Sequence, residues 1–470
     1  MMGELVNTHR LTRLLGSWED SDGTLSNNLA SGLRLLIENG QLPAGCRLPS
    51  ERQLAATMGL ARTTVGAAFD ELRDDGSLNS RAGIGTFVSS AGRTAGARGD
   101  ARLQSFLERR IMGRVDLRSA AGQALPMVAE ELGRLSAADF EPLLGNHGYY
   151  PKGLPALREA IAQYYVADGL ATSAREVMVT AGAQQAVHII TRSLIEAGDV
   201  IVVEEPTYRG GIESLRAAGA RLVSVKSGDE GLDVGFFADA LERHRPKMAL
   251  ILSTVHNPTG SCLENDKRLE IASLAGEYNV TIIDDASTAD TLCRDNRPLP
   301  IAGFCSNTIT IGSASKLFWG GLRIGWIRAQ ADVLSSLVAA KSAEDLGTSI
   351  PSQIATERLL RRVPEARCLR RALLEDRLTE VLARLAYLLP DWHVHPNQGG
   401  ASLWIQLPKG RSALAFAEQA RRAGVDLLAG PTFSISNECD NHLRLAISAP
   451  REKLETGLQR LAHVWNSWAR

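Results

Sequence analysis

Five short aliphatic and β-branched runs, EVMVT (176–180), VIVVEE (200–205), MALILST (248–254), VTIID (280–284) and TITIG (308–312), alternate with helical stretches such as Arg268 to Glu277. The runs are apolar at odd and even positions alike, so neither face of such a strand belongs in water. Strands dry on both sides sit inside parallel sheets, whose crossovers are long enough to lay helices over each face. The pattern predicts an α/β fold with a mostly parallel sheet. The usual nucleotide-binding versions are excluded: no GxxxxGK[ST] is present, and no GxGxxG stands between a strand and a helix.

Open sheets of this kind bind ligands at the carboxyl ends of their strands, and four such ends carry polar residues. TAGAQQAV puts Gly182, Ala183 and Gln184 at a strand-to-helix turn, where backbone amides can cradle a phosphate. HNPTG sets Asn257 just past a strand, with Pro258, Thr259 and Gly260 shaping a tight turn. Asp284 closes VTIID, and SASK brings Ser313, Ser315 and Lys316 after TITIG, with Arg323 seven residues on. Singly, these are a solvated lysine, a turn and a helix cap. Together they are the groups that pyridoxal phosphate requires: an amine for a Schiff base, a carboxylate for the ring nitrogen, and amides, hydroxyls and an arginine for the phosphate.

The first ninety residues follow another period. Leu29, Leu33, Leu36 and Ile37 recur at helical spacing, with Ser26 as the expected cap and Gly40 and Pro43 as the stop. Ser50 opens a second helix through Leu54, Ala55 and Met58, Gly59 turns the chain, and Arg62 to Leu72 forms a third, closed by Asp74 and Asp75. LNSRAGIGTFV then offers two short strands around a glycine turn. A helix-turn-helix with a wing can enter the major groove, and Arg47, Ser50, Arg52, Arg62, Thr63, Thr64, Arg81 and Gly85 fall where contacts to DNA would be made. Taken one at a time, the arginines read as ordinary solvated surface residues.

At 470 residues, with 44% hydrophobic residues and a net charge of -1, the chain has material for more than one domain and no global charge that names a partner. SSAGRTAGARGDAR (89–102) is small, polar and without hydrophobic period, which predicts a flexible linker reaching to about residue 115. The expected division is 1–88, linker 89–115, and a body over 116–470 with a small subdomain from about 350. Cys46, Cys262, Cys293, Cys305, Cys368 and Cys439 include no C-x-x-C pair, so neither zinc nor a disulfide framework is expected. No apolar run is long enough to cross a membrane and the first residues lack a signal peptide's pattern, so a cytoplasmic protein is expected.

Over residues 26–88 the order helix, GCRLPSERQLA, turn, RTTV, GIGTFV resembles the winged helix-turn-helix of GntR-type transcription regulators. From about 116 to 470 the segments YYPKGLPALREAIA, TAGAQQAV, EEPTYRGG, HNPTG, IDDAS, SASKLFWGGLRIGW and LRLAIS resemble, in order, those of fold-type-I aminotransferases. That resemblance implies that Tyr208 lies against the cofactor ring, Asn257 bonds its hydroxyl, Asp284 pairs with its nitrogen and Lys316 takes its aldehyde. It also implies that Arg323, Ser313 and Ser315 hold the phosphate, Tyr149 reaches a phosphate across a dimer interface, and Arg444 takes a ligand carboxylate, with Arg209 a candidate for a second one. The family's tyrosine two or three residues after the aspartate is replaced by Ala286 and Ser287. Losing that bond speaks against efficient catalysis while leaving cofactor binding intact. Joined by a linker, the two halves resemble the MocR group of regulators. The resemblance implies a head-to-tail homodimer that binds paired DNA half-sites, carries pyridoxal phosphate and senses an amino compound or the cofactor itself. Two other readings stay open: an aminotransferase with an accessory DNA-binding head, and a cofactor-free dimerisation scaffold.

Overall fold

The computed structural model describes residues 6, 8–15, 24–38, 41–42, 45–74, 76–81, 85–89, 113–436 and 438–468. They belong to two compact units, Met1–Ser105 and Phe106–Arg470. Most of the expected linker lies outside the described residues, as do Gly40, Pro43, Asp75 and the glycine turn of the wing.

The first unit contains helices α1 (Thr8–Leu15), α2 (Leu25–Glu38), α3 (Glu51–Met58) and α4 (Arg62–Asp74), followed by strands β1 (Leu78–Arg81) and β2 (Gly85–Val88). Leu29, Leu33 and Leu36 of α2 meet Leu54, Val65, Phe69 and Leu72 in one core, to which α1 adds Leu11 and Leu15. Ser26 does not cap α2: it lies inside the helix, and the hydroxyl of Thr24 accepts from Asn27 N at 3.3 Å instead. The helix starts at Leu25, two residues before the start that a Ser26 cap implies, so the capping hydroxyl is that of Thr24. Ser50 does cap α3, its hydroxyl accepting from Gln53 N while Gln53 Oε1 accepts from Ser50 N. Gly59 (φ 67) ends that helix in the left-handed region. The wing strands pair antiparallel from Leu78 opposite Val88 to Arg81 opposite Gly85.

The second unit opens with β3 (Val115–Asp116) and is built on an eight-stranded sheet. Its strands are β4 (Val177–Thr180), β5 (Val200–Glu205), β6 (Arg221–Gly228), β7 (Gly231–Leu232), β8 (Met248–Ile251), β9 (Thr281–Asp285), β10 (Thr308–Ser313) and β11 (Gly325–Arg328), in the order β4-β11-β10-β9-β8-β5-β6-β7. The central pairs β10-β9, β9-β8, β8-β5 and β5-β6 are parallel, whereas β11 runs antiparallel between β4 and β10. Both faces are covered, as the dry runs predict. Ile283, Ile309 and Ile311 pack with Ala186 and Leu334 on one side, and Ile251 and Ile282 pack with Phe237 and Ile271 on the other.

A smaller sheet follows, with β12 (His393–Val394), β13 (Ser402–Gln406), β15 (Leu428–Ala429) and β16 (His442–Ala446) in the order β12-β13-β16-β15, while β14 (Val425–Asp426) pairs in parallel with β3. Leu403, Ile405, Leu443 and Leu445 pack there against Leu385, Phe416 and Trp465 from three helices. Two contacts tie the sheets together. Thr207 N donates to Phe433 O at 2.8 Å, and the buried carboxylate of Glu205 accepts from Ser434 Oγ, Ile435 N (2.9 Å) and Ser436 Oγ (2.9 Å).

Candidate functional site

Lys316 sits in a single helical turn, Ala314–Leu317, immediately after β10. Ser313 caps the turn, accepting from Ser315 N at 3.2 Å. At the other end, the buried guanidinium of Arg370 donates to Leu317 O (2.8 and 3.0 Å), Phe318 O (3.1 Å) and Gln123 O (2.9 Å). The Lys316 amine makes no hydrogen bond among the described residues. Burial first, then the charge of Arg444, push its pKa down from 10.5 to about 8, opposed by the charge of Asp285. An amine in that range is a usable nucleophile near neutral pH.

β4 leads into the Gly182 turn that is expected to cradle a phosphate. Gly182 (φ 104) caps the helix Ala183–Leu194, and a Cβ there would lie 2.9 Å from the Arg323 guanidinium, so only glycine lets the arginine approach. Arg323 Nη2 donates to Ala181 O at 2.7 Å and holds its charge over the helix's free amides. Gln184 Oε1 accepts from the Tyr208 hydroxyl at 3.0 Å and Gln184 Nε2 donates to Gly210 O at 3.2 Å, fixing the tyrosine beside the cradle. Arg444, on β16, is buried; it donates to Asn257 Oδ1 at 2.9 Å and to Arg118 O, and lies 4.8 Å over the Phe433 ring. Its Nε has no partner, and burial chiefly lowers its pKa to about 10. Buried Arg209 is close enough for its charge to add to that lowering.

The carboxylates divide between the two faces of β9. Asp284 is buried, accepts from Ser253 N at 3.3 Å through Oδ1, and has an unpartnered Oδ2; burial raises its pKa against the pull of Arg268. It borders a cavity of about 30 Å³ with Tyr165 and Thr310. Lys316 borders a different one, of about 90 Å³. The carboxylate whose charge Lys316 feels is the next residue, Asp285, which the sequence reading passed over; Asp285 Oδ1 accepts from Ser287 N at 3.0 Å. Ala286 and Ser287 offer no phenol here. Tyr149 stands exposed with its ring stacked on His147, apart from these contacts. A further cavity of about 330 Å³, beside Asp139 and Arg358, contains none of these residues.

Beneath Asn257 lies a buried pair that sequence reasoning also missed. Glu204 accepts from Leu252 N at 2.6 Å and from Ser227 Oγ at 3.3 Å, and its Oε2 is 3.5 Å from His256 Nε2. Burial raises the acid to about 8 and lowers the imidazole to about 3, so both are neutral at pH 7. Arg268 is likewise fully buried, donating to Leu263 O, Ser253 O and Thr254 Oγ1. Only the fold could show these, because each partner is distant in sequence or a backbone atom.

In the first unit, Arg47, Arg52, Arg62 and Thr63 are exposed and Thr64 is half-buried. Arg47, Arg52 and Arg62 have no ion-pair partner among the described residues, whereas Arg73 is held by Glu51 at 2.8 Å and Arg34 by Glu71 at 2.9 Å. The Ser50 hydroxyl is occupied by its cap. A Cβ at Gly85 would meet Arg47 Nε at 2.6 Å, so the glycine lets that guanidinium lie on the wing. The Arg81 side chain lies outside the described residues.

Known proteins agree with both halves. Residues 120–461 match the family described as aminotransferase class I and II, and residues 25–88 match the bacterial regulatory proteins of the gntR family. The chain is 28% identical to uncharacterized HTH-type transcriptional regulator YisV of Bacillus subtilis, over 96% of this chain and 98% of the relative. It is 30% identical to the probable rhizopine catabolism regulatory protein MocR of Rhizobium meliloti, over 66% of each chain. Among solved structures, LysN, the α-aminoadipate aminotransferase of Thermus thermophilus complexed with N-(5'-phosphopyridoxyl)-L-leucine, superposes with a TM-score of 0.71 at 25% identity, covering 78% of this chain and 95% of that one.

Proposed function

Because the chain belongs to the aminotransferase class I and II family and carries a gntR-family head, the composition of the MocR-type group, we propose that it is a DNA-binding transcriptional regulator which binds pyridoxal phosphate and senses an amino compound or the cofactor itself. The observation that carries this reading is an unpaired, partly desolvated amine at Lys316, lying within the field of the buried arginine Arg444. The residues present fit the cofactor on the lysine's side of β9: Asp285, whose charge Lys316 feels, is a buried carboxylate that would meet a protonated ring nitrogen, whereas Asp284, expected in that role, borders a separate cavity. The Gly182 cradle leaves room for no side chain.

When bound, the cofactor supplies one aldehyde reactive toward primary amines, that of Lys316 or that of an effector. Desolvation is the chief cause that raises the share of Lys316 ready for attachment. Arg323, Ser313, Ser315 and the amides of Gly182, Ala183 and Gln184 bind the phosphate at a helix N-terminus. Asp285, rather than the expected Asp284, would keep the ring nitrogen protonated, Asn257 would orient the ring hydroxyl and Tyr208 would cover the ring. Arg444, with Arg209 nearby, binds an effector carboxylate; since Arg444 also holds Asn257 and the Arg118 carbonyl, an anion there loosens both. The body pairs as a head-to-tail homodimer, with Tyr149 reaching the partner's phosphate, and the two heads bind paired half-sites through Arg47, Arg52, Arg62, Thr63 and Thr64. The expected division into a head (1–88), linker (89–115) and body (116–470) is kept in this proposal.

Footprinting on the DNA next to the protein's own gene, with and without pyridoxal phosphate and amines, tests the reading. A sequence-specific footprint that amines alter in the wild type but not in Lys316→Ala supports it; a footprint indifferent to cofactor and amine refutes the sensor. The likeness to LysN favours a second reading, an aminotransferase, and steady multiple-turnover keto-acid production from an amino donor would decide for it.

A further inference from the structure

We propose that His395 and His442, on the smaller sheet, form a binding site for a zinc-like divalent cation. The inference uses none of the groups assigned to the cofactor and stands apart from that reading. Cysteine spacing, which speaks against a zinc cluster, has no bearing on such a histidine pair.

The strand register gathers the imidazoles. His393 on β12 stands opposite Gln406 on β13, which in turn stands opposite His442 on β16. Side chains two residues apart on an extended chain share a face, and His395 follows His393 there, its N donating to Trp404 O at 3.0 Å. The ring centroids of His395 and His442 are 5.5 Å apart, and Trp404 stacks on His442 at 5.1 Å with planes 12° apart. That stack sets the plane of the His442 ring before any ligand arrives.

Two buried nitrogens of this group have no partner, His395 Nε2 and His442 Nδ1. The tautomer of His395 follows from its other nitrogen. Nδ1 is 2.8 Å from Asp229 Oδ1, and a carboxylate only accepts, so the neutral ring carries its proton on Nδ1 and a lone pair on Nε2. A carboxylate behind the far nitrogen is the arrangement that orients metal-binding imidazoles and raises their basicity. Buried nitrogens without partners cost free energy. One ion shared by the two rings removes both costs.

The spacing selects the cation. An ion about 2.1 Å from each nitrogen stands about 3.2 Å from each ring centroid, which puts the centroids about 5.2 Å apart at tetrahedral positions and about 4.5 Å apart at square ones. The observed 5.5 Å suits the tetrahedral case, hence zinc rather than copper(II), and imidazole donors disfavour magnesium and calcium. Among the described residues no three His, Cys, Asp or Glu side chains are placed to share one ion. The protein therefore supplies two ligands and water the others, which the 20% exposure of the His395 side chain admits. Asp229 lies in the turn between β6 and β7, so an ion that strengthens its bond to His395 also ties the large sheet's last hairpin to the smaller sheet.

Equilibrium dialysis of the chelator-treated full chain against Zn²⁺, with Mg²⁺ as the control, tests the site. Half the ligands of a structural zinc site supply roughly half its binding free energy, so the Kd should be about 1 to 200 µM. Co²⁺ in place of Zn²⁺ should give the intense visible bands of a tetrahedral ion. His395→Gln and His442→Gln should each weaken Zn²⁺ by about 50-fold or more. Asp229→Asn, at an exposed position, should weaken it by about tenfold, which keeps the test valid if a histidine variant fails to fold. His393→Ala should leave the affinity within about threefold. Zn²⁺ binding that His395→Gln and Asp229→Asn leave unchanged, or that is lost with His393 or the exposed Cys368 instead, overturns the inference. So does an octahedral Co²⁺ spectrum, or no binding up to about 1 mM Zn²⁺.

Discussion

Replacing Arg444 by glutamine should delay the readiness of Lys316 for attachment. At a pKa of about 8 rather than 10.5, roughly one amine in eleven is neutral at pH 7, against about one in 3,000 for an ordinary lysine. The gain is therefore about 300-fold in reactive amine, with burial its larger cause and Arg444 the next. Arg444→Gln keeps the burial and removes the like charge, so the pKa rises. A rise of one unit slows capture at pH 7 roughly tenfold. Asp285→Asn acts the other way, because it removes the carboxylate that favours the ammonium form. The assay mixes cofactor-free protein with pyridoxal phosphate and follows the visible band across pH, with Lys316→Ala as the blank. The wild-type rate should climb about tenfold per pH unit and level off near pH 8, with Arg444→Gln levelling later and Asp285→Asn earlier. A wild-type rate still climbing at pH 10, or three coincident profiles, refutes the electrostatic account.

Three further outcomes follow from contacts elsewhere. Glu204 ionises near 8 in the fold against 4.5 as its ordinary value, so the folded state holds the extra proton between them and stability falls as pH rises through that window. Glu204→Gln should flatten the fall in urea melts, and equal slopes would contradict the assignment. Ser50→Ala removes the capping box of α3 at a cost of about 1 kcal/mol; amide exchange at Gln53 and Leu54 should quicken by about fivefold, and unchanged exchange would count against the cap. Arg62→Ala should weaken DNA binding at every sequence and reduce the salt slope by about one if the guanidinium meets a phosphate. A sequence-selective loss with the slope intact would assign it to a base instead.

The large sheet was legible because burial on both faces leaves a continuous apolar run, and VIVVEE and TITIG coincide with β5 and β10. The start of α3 at Ser50 was legible because a cap and its partners lie within four residues. What the sequence did not carry were partnerships over long separations. Nothing near Arg370 announces that it closes the turn of Lys316, and nothing near Glu205 announces Ser434. β11 escaped because GWIR is short and enters the sheet antiparallel. The pair Asp284 and Asp285 shows a different limit. Alternate residues of a strand face opposite ways, so a motif that places an aspartate at a strand end does not reveal which of two neighbours faces the amine.

Arg370 grips the carbonyl oxygens of Leu317 and Phe318, at the C-terminal end of the lysine-bearing turn, and that of Gln123, from within the helix Val363–Leu388, which runs on into the smaller sheet's core. The guanidinium thereby makes the turn and the long helix one mechanical part. Any tilt of that rod arrives at the amine as a displacement, with no slack link in between to absorb it.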